Sequence, residues 1–319
     1  MSQTVLGIDV SQKTLDAALI VNGKTLSKQF KNSAEGFTLL AAWLASLHIA
    51  EVHVCLEATG VYSELVALFL DQQGYRVSIV NPLRIKGFAQ SNLRRNKTDR
   101  LDARLIAEFC RTQEPARWTP PSAPVRHLQA LVRRIETVEE MRQAEVNRRA
   151  NALREVQPSI ERMISLLDVE IKELERQIKD HINQNPELKE QSELLQTIPG
   201  IGERTANLLL AEIEFERFES ARQVAAQAGV VPRQRQSGTS LKQSGLSKLG
   251  NARIRRALYF PAIVAKQHNS IISEFAKRLK ERGKTPMQIV CAAMRKLLHI
   301  AFGVLKHKRA FDASFAFSG

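Results

Sequence analysis

The chain has 319 residues, 44% of them apolar, with 47 basic and 33 acidic side chains and a formal net charge of +14. That length suits two domains or more, and that apolar content a globular protein with cores of its own. No run of about 18 uncharged apolar residues occurs, and Met1 to Asp9 lacks a basic segment followed by an apolar one, so neither a membrane span nor a secretory leader is expected and a cytoplasmic protein is. Cys55, Cys110 and Cys291 have no CxxC spacing and no close His in sequence, which suits reduced core thiols rather than disulfides or a zinc site.

In chain order, Thr4 to Val10, Leu15 to Val21 and Thr25 to Phe30 read as three short strands, the last two joined at Asn22-Gly23, a strong hairpin signal. Ala34 to Leu47 and Ser63 to Gln73 have helical spacing, and Val52 to Leu56 and Tyr75 to Val80 are apolar strands. A meander followed by alternating strand and helix predicts a mixed sheet of about five strands with helices laid on it. Asn81-Pro82 breaks the chain, and a basic stretch from Arg84 leads into a helix that opens near Thr98 as N-cap.

That helix carries Asp99 and Asp102 in its first turn, three residues apart and so on one side. Acids at a helix start commonly just complement the dipole. Here, however, five cations (Arg94, Arg95, Lys97, Arg100 and Arg104) surround only these two acids. Carboxylates in a basic surface suit metal-dependent chemistry on nucleic acid, because the cations hold phosphate and the acids hold ions that polarise it. Asp9 interrupts an apolar strand and Glu57 ends another. A buried Asp is costly without a partner, and a divalent metal is one. Asp9, Glu57, Asp99 and Asp102 therefore form a candidate oxygen-only site for two Mg²⁺ ions, with Asp16 and Glu64 as lower-ranked alternatives.

The segments GIDVSQKTLDAAL, CLEATGVY, VNPLRIKGFAQS and RRNKTDRLDARLIAEFC resemble the RuvC-like domain of the DEDD-type transposases of insertion-sequence family one-ten, which includes bridge-RNA-guided recombinases. The resemblance covers residues 1–113, implies a RuvC/RNase H-like α/β fold, and places the family's four acidic positions on Asp9, Glu57, Asp99 and Asp102.

Four prolines between Pro115 and Pro124 mark residues 114–124 as a stiff linker. Residues 125–192 read as a helical coiled-coil spacer, with Ile160, Met163, Leu167, Ile171, Leu174, Ile178 and His181 forming a seam. The spacer either folds back as a hairpin or pairs with another protomer. Residues 193–319 read as a mainly α-helical domain. In it, Leu194 to Ile213 has the helix-hairpin-helix pattern, whose Gly200 and Gly202 would let backbone N–H groups approach a phosphate. This domain is strongly basic: residues 197–319 carry 21 basic and eight acidic side chains, and Ser220 to Ser273 holds nine Lys or Arg and no acid, which favours a polyanion partner.

Phe218 to Gly229 reads as an amphipathic helix and Val231 to Leu246 as a polar, basic loop containing Ser237-Gly238-Thr239-Ser240. The segments AGVVPRQRQSGTS, SKLGNARIRRALY and PAIVA resemble the C-terminal transposase domain of the same family. The resemblance implies a nucleophilic serine first in its Ser-Gly-x-Ser motif, at Ser237. Arg233, Arg235, Lys242, Lys248, Arg253, Arg255 and Arg256 are candidate phosphate contacts beside it, as are Arg94, Arg95 and Lys97 beside the acids. A helix over Ser247 to Lys266 and a largely apolar one over Met287 to Leu305 complete the domain.

The expected activity is DNA cleavage and rejoining on double-stranded donor and target, by a homo-oligomer (dimer or tetramer). The family implies that a structured non-coding RNA chooses the sites and that acids and serine come from the same or different protomers. A site-specific invertase of the family and a RuvC-type nuclease that uses water are the alternatives.

Overall fold

In the computed structural model, residues 4–49, 51–91, 99–237, 241–247 and 249–314 are described; for residues 61, 99–101, 233–237 and 241–245 the description is of the backbone. The chain divides into two units, 1–120 and 121–319.

The first unit is built on a five-stranded sheet in the order β3-β2-β1-β4-β5, from β1 (Val5–Val10), β2 (Thr14–Val21), β3 (Lys24–Lys31), β4 (His53–Glu57) and β5 (Arg76–Val80). The antiparallel meander β1–β3 turns at Asn22-Gly23, both with positive φ (48° and 76°), the backbone that a two-residue primed turn requires. β1, β4 and β5 run parallel, through crossovers containing α1 (Ala34–Ser46) and α2 (Val61–Gln72).

The two faces of the sheet carry different cores. Leu6, Ile8, Leu15, Leu19, Val54 and Leu56 pack with residues of α1 and α2. On the other face Val5, Ile20, Cys55 and Val80 pack with Ile106, Phe109 and Cys110 of α4 (Asp99–Gln113). Between β5 and α4 the sequence predicts only a basic connection, yet Pro82–Ser91 is a helix, α3. Pro82 takes its first position, where a missing N–H costs nothing, and the Asn81 side chain accepts from Leu83 N at 2.9 Å. The start of the linker is tied to this unit, since Trp118 N–H donates to Val77 O at 2.7 Å. Ser78 Oγ donates to the Pro115 and Ala116 carbonyls (3.1 and 2.8 Å) and accepts from His53 Nε2 at 2.8 Å.

One close approach fixes α4 on the sheet. A methyl group at Gly7 would overlap the carbonyl oxygen of Ala103 and the amide nitrogen of Ala107, and would lie 2.9 Å from Ala107 Cα. Helix backbone therefore rests on strand backbone at that point.

The second unit is mainly helical. α5 (Ala123–Ala150) and α6 (Gln157–Gln184) fold back on each other as an antiparallel hairpin, the intramolecular option of the two that the sequence leaves open. Leu128, Val132, Ile135 and Val138 of α5 share one core with Leu174, Ile178 and Ile182 of α6. Near their junction with the rest of the unit the His127 and His181 rings lie 4.4 Å apart, and His181 Nε2 bonds Pro124 O at 2.8 Å. The same core continues through α7 (Pro186–Gln196), α8 (Glu203–Glu212), α9 (Ala221–Gln227), α10 (Ala252–His268), α11 (Ser270–Glu281) and α12 (Pro286–His307). α12 is long and apolar enough to cross a membrane by length and composition, but 61% of its apolar window is buried within the unit, as a core helix is.

The polar segment read from sequence as a loop is instead a two-stranded antiparallel ribbon, β6 (Pro232–Ser237) and β7 (Leu241–Leu246). The segment read as a helix over Phe218 to Gly229 holds one, the shorter α9, with a 3-10 turn at Phe215–Arg217 before it.

Gly7→Ala should lower stability by at least about 1–3 kcal/mol, since the clash is with backbone that cannot rotate away. A urea unfolding midpoint equal to wild type would show that α4 does not rest on β1 there.

Candidate functional site

Three of the four predicted acids lie at one end of one face of the sheet. β1 pairs with β4 in parallel register up to Ile8 and Leu56, so the residues that follow, Asp9 and Glu57, stand side by side at the carboxyl ends of neighbouring strands. Side chains alternate along a strand, so Asp9 shares the face of Gly7, the face on which α4 lies, and Glu57 shares the face of Cys55. α4 runs against the direction of β1: Val5 belongs with Phe109 and Cys110, and Gly7 with Ala103 and Ala107. Its first turn therefore reaches the Asp9 end, carrying Asp102 and the backbone of Asp99. Asp9, Glu57 and Asp102 are each half-buried.

Among the described residues no group of three or more His, Cys, Asp or Glu is close enough together to hold a metal ion. Of Asp99 only the backbone is described. The donor chemistry at this end is carboxylate oxygen, which suits a hard divalent cation such as Mg²⁺. The soft ligands are elsewhere: Cys55 and Cys110 are fully buried further down the face, and Cys110 Sγ donates to His53 O at 3.7 Å. Contact with Cys110 and burial push the Cys55 thiol up from its ordinary value.

The structure also raises the standing of Asp16. It is the direct cross-strand partner of Asp9 in the β1–β2 pair and is only 6% exposed. Both its oxygens accept from Gln29 Nε2 on β3, at 3.0 and 3.1 Å. Like charges directly opposite are unfavourable, and backbone pairing holds these two acids opposite each other. The place of Asp16 opposite Asp9 is set by the β1–β2 turn, where Ser11 N–H donates to Thr14 O.

Of the remaining predicted positions, Ser237 is the last residue of β6, opposite Leu241, and Arg233 and Arg235 precede it at alternate positions of the same strand. Lys242 lies on β7 opposite Gln236. Arg94, Arg95, Lys97, Thr98, Lys248 and the rest of the Ser-Gly-Thr-Ser motif lie outside the described residues. Gly200 has a φ of 105°, and a Cβ there would come within 2.8 Å of Pro261 O and 2.7 Å of Ala265 Cβ on α10. It packs the α7–α8 turn closely against α10. Gly202 is open and caps α8 without a side chain.

The three arginines of α10 have partners within the unit. Arg255 Nη1 donates to the Ala228 and Gly250 carbonyls, both at 3.1 Å, and so clamps the entrance of β6 to the start of α10. Arg253 pairs with Glu136 of α5 and Arg256 with Glu140, one turn further along. Beside them Glu212, with a side chain 4% exposed, is held by Arg133 at 3.1 Å and by Asn251 Nδ2 at 2.6 Å. Sequence pattern carries no sign of the Arg253–Glu136 and Arg256–Glu140 pairs, which join residues more than a hundred positions apart.

Residues 6–158 match the family model described as a DEDD transposase of the IS110 type, and residues 192–277 match the model described as Transposase IS116/IS110/IS902 family. The chain is 37% identical over 317 residues to the pilin gene-inverting protein of Moraxella bovis, covering 98% of both chains. It is 28% identical over 285 residues to the transposase for insertion sequence element IS1328 of Yersinia enterocolitica, covering 78% of this chain and 83% of that one.

Gln29→Leu should cost about 1–3 kcal/mol, because it leaves the buried Asp16 carboxylate without its donor. Equal unfolding midpoints for the variant and wild type would remove Gln29 from that role.

Proposed function

The chain belongs to the IS110 family of transposases and is a DNA recombinase, and from that premise we propose that it cuts and rejoins DNA with a four-carboxylate centre and a serine nucleophile. The observation that carries this reading is the placement of Asp9, Glu57 and the first turn of α4 at one end of the sheet. A strand meander followed by parallel strands, with acids at their carboxyl ends, supports a RuvC-like identity for the first unit.

Asp9, Glu57, Asp99 and Asp102 supply hard oxygen donors for a divalent cation, with two Mg²⁺ ions the expected complement. Bound there, the metal supplies Lewis acidity toward a scissile phosphate. Ser237 Oγ attacks the phosphorus; the new Ser–O–P bond replaces a P–O bond of the DNA strand, and the serine proton passes to the departing hydroxyl. Attack by a second strand hydroxyl reverses the exchange and frees the serine, so bond energy is kept for rejoining. Arg233, Arg235, Lys242 and Lys248 would bring positive charge to the phosphate. Arg94, Arg95 and Lys97 would do the same beside the acids.

A second reading, site-specific inversion, is favoured by one observation: the full-length match to a protein named for inverting a pilin gene. Both outcomes use the same strand chemistry and differ in how the ends are chosen. Guidance by a structured non-coding RNA extends the reading and is supported by the basic surplus of residues 197–319.

Assembly as a dimer or tetramer is supported by the far end of the α5–α6 hairpin. Met141, Leu153, Val156, Met163, Leu166 and Val169 are 47–76% exposed there, an apolar patch of the kind that marks an interface.

A suicide DNA substrate should trap a covalent protein–DNA adduct with wild type, none with Ser237→Ala, and none with Asp102→Ala. Cleavage that persists in Ser237→Ala without an adduct would replace the serine mechanism with water as nucleophile. For assembly, Leu166→Glu with Val169→Glu should lower the sedimentation coefficient at fixed concentration while leaving far-UV circular dichroism unchanged. An unaltered coefficient would move the interface elsewhere.

A further inference from the structure

α10 has two unlike sides. Its inner side, with Ile254, Leu258, Ala262 and Ala265, is buried in the core of the second unit, and the α7–α8 turn closes over Pro261 and Ala265, where Gly200 makes its close approach. Its outer side carries Arg253, Arg256, Phe260 and Val264, at intervals of three, four and four residues that form one stripe along the helix. The stripe begins cationic and becomes apolar. Its two arginines meet Glu136 and Glu140 of α5, and one and two turns beyond Arg256 lie Phe260 and Val264, 72% and 44% exposed.

Among the described residues Phe260 is the only exposed phenylalanine. Scattered exposed aliphatic side chains are ordinary on a protein surface, but a bare phenyl ring leaves a large flat apolar area in water. The ring is also held in place. It meets the Tyr259 ring edge to face, with centroids 5.4 Å apart and planes at 82°, and Tyr259 packs against the core. That contact fixes the ring and leaves most of it open to a ligand.

Charge decides which ligand suits it. Ser220 to Ser273 holds nine Lys or Arg and no Asp or Glu, and Arg256 stands one turn before Phe260. A second copy of this chain seated face to face would set Arg256 against Arg256. A nucleic acid instead brings phosphate to the arginine and a flat base to the ring. The Arg256–Glu140 pair has both side chains exposed, and such pairs give way at little cost. Bases in a duplex are covered by their neighbours, so only an unpaired base has a face free to lie on a side chain.

We propose that Phe260, flanked by Val264 and Arg256, is a stacking platform for an unpaired base of the bound DNA. Strands opened for exchange would present such bases. The proposal rests on the chain being a DNA recombinase and uses neither the carboxylates nor Ser237, so it and the serine mechanism can fail independently.

The test is equilibrium binding of the full-length chain, without divalent cation so that no strand is cut, to DNA duplexes of one length. One is fully paired; the other has a central unpaired stretch holding a fluorescent base analogue. Wild type should bind the unpaired probe more tightly and quench the analogue by stacking. Phe260→Ala should weaken binding to that probe about tenfold, abolish the quenching and leave the paired duplex unchanged, while Phe260→Trp should keep both the affinity and the quenching. Arg256→Gln should weaken both probes alike, as loss of a phosphate contact does. The Phe260 site is exposed and alanine is a good helix former, so the melting temperature of Phe260→Ala should stay near that of wild type. Equal wild-type affinity for the two probes, an equal loss on both with Phe260→Ala, or quenching that survives in Phe260→Ala would overturn the platform. A loss confined to an RNA probe of the same sequence would overturn the DNA assignment. A lowered sedimentation coefficient in Phe260→Ala with DNA binding intact would overturn it too, and give the face to a second copy.

Discussion

The first unit depends on the contact of α4 with β1 at Gly7. With no side chain there, helix backbone touches strand backbone, and the contact sets both the height and the position of α4 along its own axis. Everything at the acid end follows from that contact by counting residues. Asp9 is two positions along the strand from Gly7, and Asp102 is adjacent to Ala103. The Cys55–Cys110 row and the Phe88–Phe109 edge-to-face pair at 5.5 Å hold the far end of the helix, so it cannot pivot about the glycine. The carboxylates are thus brought toward one end of the sheet by apolar packing and backbone pairing.

Much of this was legible in the chain because local chemistry and fold agree. Asn22-Gly23 demanded a primed turn, the apolar runs around Cys55 and Val77 demanded buried strands, and an Asp among Val, Leu and Ile announced an unusual strand end. That Asp9 and Glu57 end neighbouring strands emerged only where strand register was added, which no single segment carries. Asp16 illustrates this: it stands in an unremarkable strand and acquires meaning from lying opposite Asp9. α3 was missed because Arg84, Lys86 and the small residues around them carry little apolar periodicity, so the start signal at Pro82 had nothing to confirm it.

The ribbon that ends in Ser237 was hidden for a different reason. A strand is recognised by alternation of apolar and polar residues, and Pro-Arg-Gln-Arg-Gln-Ser has polar residues on both faces. The tight packing of Gly200 against the methyl of Ala265 and the carbonyl of Pro261 is likewise invisible in its Pro-Gly-Ile-Gly motif. In both cases the deciding information was tertiary. In the second unit that information is concentrated in one core, running from Leu128 on α5 to Val304 on α12, so the hairpin helices and the ribbon's supports share the same packed interior.

The α5 glutamates that pair with α10 alter how the basic surface should be counted. Glu136 and Glu140 serve Arg253 and Arg256 as resident counter-ions, occupying the forks that a polyanion would otherwise find open. Any nucleic acid that recruits those arginines must first displace a carboxylate tethered to the neighbouring helix, and that exchange cancels part of the Coulomb attraction. The formal charge of this surface therefore overstates its grip, and unselective polyanions are held more loosely than a tally of lysines and arginines implies. A surface screened by its own glutamates favours partners whose shape lets them meet many basic groups at once.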